Sequence, residues 1–268
     1  MKYVIYKKCA VTEMPPNSQH NNSMNKSEIC STMQTLGAPM LREIQEFDID
    51  SSTEFYYIIK DSHSSIEDLK PKVRNLVRRS LRNCTFRKIR YSDLLEDGFD
   101  VYKEAYESYN NTVLFHLPTK EEYTQNLLRH KNRDYWGAYD IESGKLLAYS
   151  INIPYSNGVV EYASMKCCPQ SLKTHFPYYG LIQTMNEYYL THNRCDYITD
   201  GARTLTEHSN IQEFLISKFG FRKAYCRMHM HYVWWLGLAI NILYPFRNII
   251  PSNTIKLLLK QEYWSRHS

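Results

Sequence analysis

Apolar residues recur along this chain with two periods. Short aromatic and β-branched runs bounded by polar turns predict strands at Tyr3–Tyr6, Phe55–Ile59, Thr85–Arg90, Tyr135–Tyr139, Leu146–Ile153, Val159–Cys168, Tyr197–Thr199 and Phe221–Tyr232. Steps of three and four residues predict helices instead. Ile66–Asn83 carries Leu69, Val73, Leu76, Val77 and Leu81 in one stripe, and Asp93–Tyr109 turns Leu94, Leu95, Val101, Ala105 and Tyr109 inward. Thr119–Arg129 opens with Thr119 and, three residues on, Glu122, which is a capping-box pattern. Pro177 suits the first turn of a helix over Pro177–Thr191. Ile211, Phe214, Leu215 and Phe219 mark another, which Ser209 or Asn210 caps at its start and Gly220 ends in a left-handed residue. Val233–Tyr244 and Ile255–Glu262 predict two C-terminal helices, whereas Thr12–Pro39, rich in Pro, Asn, Ser and Gln, reads as a long loop or a weakly ordered insertion.

The connections refine the pattern. Glu142–Lys145 and Pro154–Gly158 carry Gly and polar residues, as hairpin loops do, so the three strands from Tyr135 to Cys168 form an antiparallel meander. Strand Tyr197–Thr199 ends on Asp200-Gly201, a polar loop follows, and then helix, Gly-Phe and strand. The loop at the strand's C-terminal end is rich in ionisable groups, and in open sheets ligands sit there. The expected fold class is α/β (α+β), a mixed, mostly antiparallel central sheet with flanking helices.

Composition changes this picture little. A chain of 268 residues, 43% hydrophobic and 23% charged, has ample material for a core. Tyr is abundant at 23 residues and suits half-buried sheet positions and clefts. The net charge of +5 does not by itself imply nucleic acid, but its distribution is uneven. The helix from Ile66 carries Lys70, Lys72, Arg74, Arg78, Arg79 and Arg82 with no acid between Asp68 and Asp93, which makes Arg74 and Arg78 anion-binding candidates. Seven cysteines without paired spacing fit reduced thiols in a cytoplasm. Cys167-Cys168 point to opposite faces of a strand, and His229 and His231 lack a third ligand, so no metal is expected. Val233–Ile250 is too interrupted by Asn241, Pro245, Arg247 and Asn248 to span a bilayer.

From Thr85 onward the order is strand, helix, helix, three-strand meander, helix, strand, helix, strand. This order, with Phe219-Gly220-Phe221 before the last strand, resembles the GNAT superfamily of N-acetyltransferases. The basic run VRNLVRRSLRNCTFRKI is similar to a helix of the FemAB-like branch. The resemblance covers about Ile66–Tyr232 and implies acyl or aminoacyl transfer to an amine, perhaps on a cell-surface saccharide or peptidoglycan-like precursor. Acyl-CoA-binding members carry a glycine-rich loop after the fourth strand. The equivalent here, PQSLKTHFPYYG, has one glycine, and Ile216 stands where a general-acid tyrosine is frequent. The resemblance therefore leaves acyl-CoA, held by Lys173, Thr174, His175, Tyr179 and Gly180, beside aminoacyl-tRNA, held by the basic helix of residues 70–82.

Acyl transfer needs a base for the attacking nitrogen and donors for the developing oxyanion. Glu161 on the fourth strand of this unit, Asp200 at the end of the fifth and His208 in the loop are the catalytic candidates, and Arg203 has the planar fork to clamp an anion. The expected division is residues 1–65 as N-terminal strands with a polar loop, 66–232 as the acyltransferase domain and 233–268 as a helical extension. The stretch Val233–Tyr244 is apolar nearly all round and reads as a packed cap. A lesser reading is peripheral membrane contact through residues 233–250, with Trp234, Trp235 and Arg247 at the headgroups. A non-catalytic scaffold of the same fold is the alternative to an enzyme.

Overall fold

A computed structural model describes residues 2–17, 23–108, 117–205 and 210–268. In chain order its elements are β1 (Tyr3–Tyr6), β2 (Cys9–Thr12), α1 (Lys26–Leu36), β3 (Met40–Phe47), β4 (Tyr56–Lys60), α2 (Pro71–Asn83), β5 (Cys84–Ile89), α3 (Tyr91–Glu96), α4 (Gly98–Glu107) and α5 (Lys120–Arg129). There follow β6 (Asp134–Asp140), β7 (Leu146–Pro154), β8 (Val159–Cys167), α6 (Ser171–Thr174), α7 (Pro177–Glu187), β9 (Tyr197–Ala202), α8 (Ile211–Phe219), β10 (Arg222–Tyr232), α9 (Trp234–Leu243) and α10 (Asn253–Arg266). The chain divides into two compact units that interleave in sequence. One comprises Met1–Ile58, Gly201–Glu207 and Arg222–Ser268, and the other Ile59–Asp200 and His208–Phe221.

The second unit holds the meander. β5, β6, β7 and β8 pair antiparallel in sequence order, and β9 joins β8 in parallel. One face buries Tyr135 and Tyr149 against Leu94, Val101, Tyr123 and Leu127 of α3–α5. The other face carries α2 and α7, which approach closely at Gly180, where an added Cβ would collide with the Phe86 ring and the Ser80 hydroxyl. Helices on both faces bury both sides of the strands, which is why these strands are apolar on successive residues. Between them lies a buried polar network. Tyr189 Oη accepts from Trp136 Nε1 (2.9 Å) and Asn152 Nδ2 (3.2 Å) and donates to Asp134 (2.9 Å). Tyr189 stands in a π-helical turn, Tyr188–His192, which continues α7.

The first unit pairs β1 with β2 antiparallel, β2 with β3 parallel, and β3 with β10 antiparallel. Helix α1 packs Ile29 and Met33 against Ala10 and Leu41. The stretch Thr12–Pro39 is therefore not all loop. Asn25 and Glu28 form a capping box, and Gly37 closes α1 at φ 60°. The polar composition of the stretch hides two apolar residues at a four-residue step. Two further boundaries differ from the periodicity. Leu69 is extended, so α2 starts at Pro71, and Asp97 separates α3 from α4 where one helix was expected. Thr119 and Glu122 cap α5 reciprocally, as the pattern predicts.

Candidate active site

Strands β8 and β9 run side by side for three pairs, Val159 with Tyr197, Val160 with Ile198 and Glu161 with Thr199. Both strands continue beyond these three pairs, β8 to Cys167 and β9 to Ala202. On its other side, β8 carries a bulge. Ile151 opposes Ser164 while Asn152 opposes Tyr162, so Ala163 is the extra residue. A bulge bends its strand and raises its twist, and bulges gather beside functional sites. Glu161 ends the shared ladder on β8, and Asp200 follows its last partner on β9.

The two carboxylates lie within electrostatic reach of each other. Burial is the larger cause, and the Glu161 charge the lesser, of a rise in the Asp200 pKa to about 7, opposed by a hydrogen bond from Gln212 at the start of α8. Both carboxylates are half-buried. Glu161 accepts from Tyr155 Oη at 2.7 Å, and Tyr155 belongs to the turn that joins β7 to β8. Gly158 at φ 80° closes that turn, and Asp196 crowds the space a Cβ would take. A carboxylate that changes protonation near neutrality exchanges protons efficiently at that pH. The arrangement can accept a proton at Asp200 and keep a second negative charge beside it.

Most of the other residues singled out by the sequence have partners of their own or lie outside the described residues. His208 lies outside the described residues. Arg203 belongs to the first unit, where it pairs with Glu54 at 2.7 Å and lies over the rings of Tyr56 and Trp264. Arg74 and Arg78 both reach Glu67, at 3.4 and 2.6 Å, so an acid just ahead of α2 takes up part of its basic face. Exposed pairs of this kind contribute little, and a stronger anion displaces them.

The first turn of α7 is already engaged. Tyr179 N–H bonds Phe176 O (2.9 Å), and Gly180 N–H bonds Ser80 Oγ (3.2 Å). Phe176 ahead of them is left-handed at φ 55°, and its side chain makes no cap. Those two amides have partners within the protein, so this turn does not fit a pyrophosphate cradle built from them. Thr174 Oγ1 contacts Gln170 O and His175 Nδ1, and His175 Nε2 stands 3.7 Å from Asp140. Lys173 is exposed. Tyr179 packs against Phe176, Phe214 and Phe219, and burial raises its pKa. Among the described residues no group of three His, Cys, Asp or Glu side chains is placed to hold a metal ion.

Tyr155 and Gln212 were missed from sequence, because nothing in a lone Tyr or Gln marks the carboxylate it meets. Lys60 was missed as well. Its side chain is buried at the end of β4, bonds Ser64 Oγ at 3.0 Å, and burial lowers its pKa.

No protein-family model and no curated protein matches the sequence. Solved structures match the fold. L-PGS from Bacillus licheniformis superposes with a TM-score of 0.55 at 10% identity, covering 92% of this chain and 84% of that one. The C-terminal domain of a putative lysylphosphatidylglycerol synthetase from Agrobacterium fabrum gives 0.53 at 9% identity, covering 90% and 84%. The shared fold is a mixed α/β one, a mostly antiparallel sheet flanked by helices. At this identity the likeness concerns the fold alone, and the reading of the site rests on its own geometry.

Proposed function

We propose that the Ile59–Asp200 and His208–Phe221 unit transfers an acyl or aminoacyl group to an amine, in the manner of the FemAB-like branch of GNAT folds. The observation that carries this reading is the Asp200–Glu161 pair where the β8–β9 ladder ends. Asp200, deprotonated, takes a proton from the acceptor nitrogen. The freed lone pair attacks the acyl carbonyl, the bond to the leaving group breaks, and that group departs with the proton that Asp200 took up. Burial chiefly, and the Glu161 charge to a lesser degree, keep the Asp200 proton affinity high enough for the transfer to be useful near neutral pH. The lysylphosphatidylglycerol synthetase name among similar folds supports a group-transfer reaction.

Two donors remain in this reading. An acyl-CoA would be held by the side chains of Lys173, Thr174 and His175 beside Tyr179 and Gly180, since the two first-turn amides are taken. Aminoacyl-tRNA would lie along α2, where Lys70, Lys72 and Arg82 make no ion pair among the described residues, with Arg74 and Arg78 released from Glu67. His208 stays in the reading as a secondary acid–base group.

The test is donor consumption. The protein is incubated with acetyl-CoA or with charged tRNA, and with a panel of primary amines. Amine-dependent loss of one donor, abolished by Asp200→Asn, is the expected result. Absence of amine-dependent consumption with every donor favours a non-catalytic scaffold and overturns the reading.

A further inference from the structure

Helix α9 presents Trp234, Trp235, Leu238 and Ile242 on one outward face, and Phe246 and Ile249 prolong the stripe beyond its end. Their exposure runs from 53% at Phe246 to 81% at Trp234. The inward face is a different set, Ile240 and Leu243 packed with Tyr244 and Leu259. Large apolar side chains so exposed and so continuous mark an interaction surface. The helix expected to be a fully packed cap is thus half-covered, because a sequence apolar all round gives no sign of which face stays open.

Beside the stripe lies a cavity of about 280 Å³ lined by Arg247, Asn248, Lys256, Leu259, Lys260 and Tyr263. Three cations converge on it. Arg247 is braced over the Tyr244 ring at 4.6 Å, and Lys260 bonds Leu205 O at 3.3 Å. Lys256 makes no ion pair among the described residues. No Asp or Glu occurs between Glu213 and Glu262 in the sequence, and the Glu262 carboxylate is taken up by Tyr232 Oη (2.8 Å) and Arg266 Nε (2.7 Å). The surface is therefore apolar and cationic, with its nearest acid in sequence already bonded.

We propose that α9 and the turn after it dock the protein onto an anionic lipid bilayer, with the stripe in the acyl–headgroup boundary and the Arg247–Lys256–Lys260 cavity on lipid phosphates. A tryptophan pair at one end of an apolar stripe suits the interface, and the basic side chains suit the negative surface potential. A second copy fits less well. A two-fold contact would set the same cations against themselves, with no acid on the face to answer them. Among the described residues no helix is long and apolar enough to cross a membrane, so the contact is peripheral. The inference does not depend on the reaction assigned to Asp200 and Glu161.

Co-sedimentation of the full chain with phosphatidylcholine vesicles, and with vesicles half of phosphatidylserine, tests it. The expected result is binding to the anionic vesicles that falls as salt rises. Lys256→Glu should weaken it at least about tenfold, since each basic residue counts measurably near such a surface. The double variant Trp234→Ser, Ile249→Ser should abolish it while the thermal midpoint stays put, because both side chains are exposed. Equal binding of wild type and double variant overturns the proposal. So does a concentration-dependent dimer, without lipid, that the double variant dissolves.

Discussion

Two acidic residues, Glu43 and Asp200, have opposite surroundings. Glu43 on β3 is 2% exposed and is met by donors. Met24 N–H (2.6 Å) bonds one oxygen, and Gln45 Nε2 (3.4 Å) and His231 Nε2 (2.7 Å) the other. Asp200 on β9 is less covered, has Gln212 as its assisting side chain, and faces the Glu161 charge. Burial alone therefore does not make a carboxylate reactive. A buried acid surrounded by donors is a brace, whereas Asp200, raised mainly by burial and further by a second negative charge, holds its proton up to neutral pH. On the proposed reading, the difference separates a structural group in one unit from a chemical one in the other.

Substitutions at the two positions should pull this contrast apart. Asp200→Asn removes the proton acceptor, and turnover measured with whichever donor proves competent should fall by roughly 10²–10⁴. Glu43→Ala should leave turnover nearly intact. It strands three donors instead, and chemical denaturation should show a loss of about 2–3 kcal/mol. If Glu43→Ala removes activity without loss of stability, the contrast fails.

A smaller effect concerns pH. The folded-state pKa of Asp200, about 7, lies above the ordinary value of 3.8. Folding therefore tightens proton binding, so the stability this group contributes is full below pH 4 and is lost as pH rises through 7. Wild type should lose about 2 kcal/mol relative to Asp200→Asn across that window, a figure reduced for solvent screening. Denaturation midpoints at pH 4.5 and 8 measure it, and parallel curves for the two proteins would refute it. Smaller again is the Glu161 effect. Glu161→Gln should shift the acid limb of the rate profile downward by a fraction of a pH unit, because its charge is the lesser cause of the rise.

Much of the scaffold could be read from local signals. Thr119 with Glu122, Gly220 after α8 and the hairpin turns of the meander each satisfy backbone groups within a few residues, so their chemistry is visible in sequence. What depended on distant contacts was not visible. The α1 helix hides in a polar stretch because its two buried residues find their apolar partners on β2 and β3. Glu67 answers Arg74 and Arg78 from seven and eleven residues away, outside the basic run itself. At the site, Asp200 and Glu161 were candidates from their places on the fifth and fourth strands of the unit. Their environment was not, because it is made by Tyr155, Gln212 and the register of two strands joined through α7.

The central claim is that Asp200 titrates near neutrality because it is buried beside a second carboxylate. Carbon-13 NMR titration of the aspartate side-chain carboxyls, with Asp200→Asn to assign the resonance, measures this in the folded protein. A midpoint near 7 that moves down in Glu161→Gln is the predicted result. A midpoint near the ordinary 3.8, unmoved by Glu161→Gln, would contradict it.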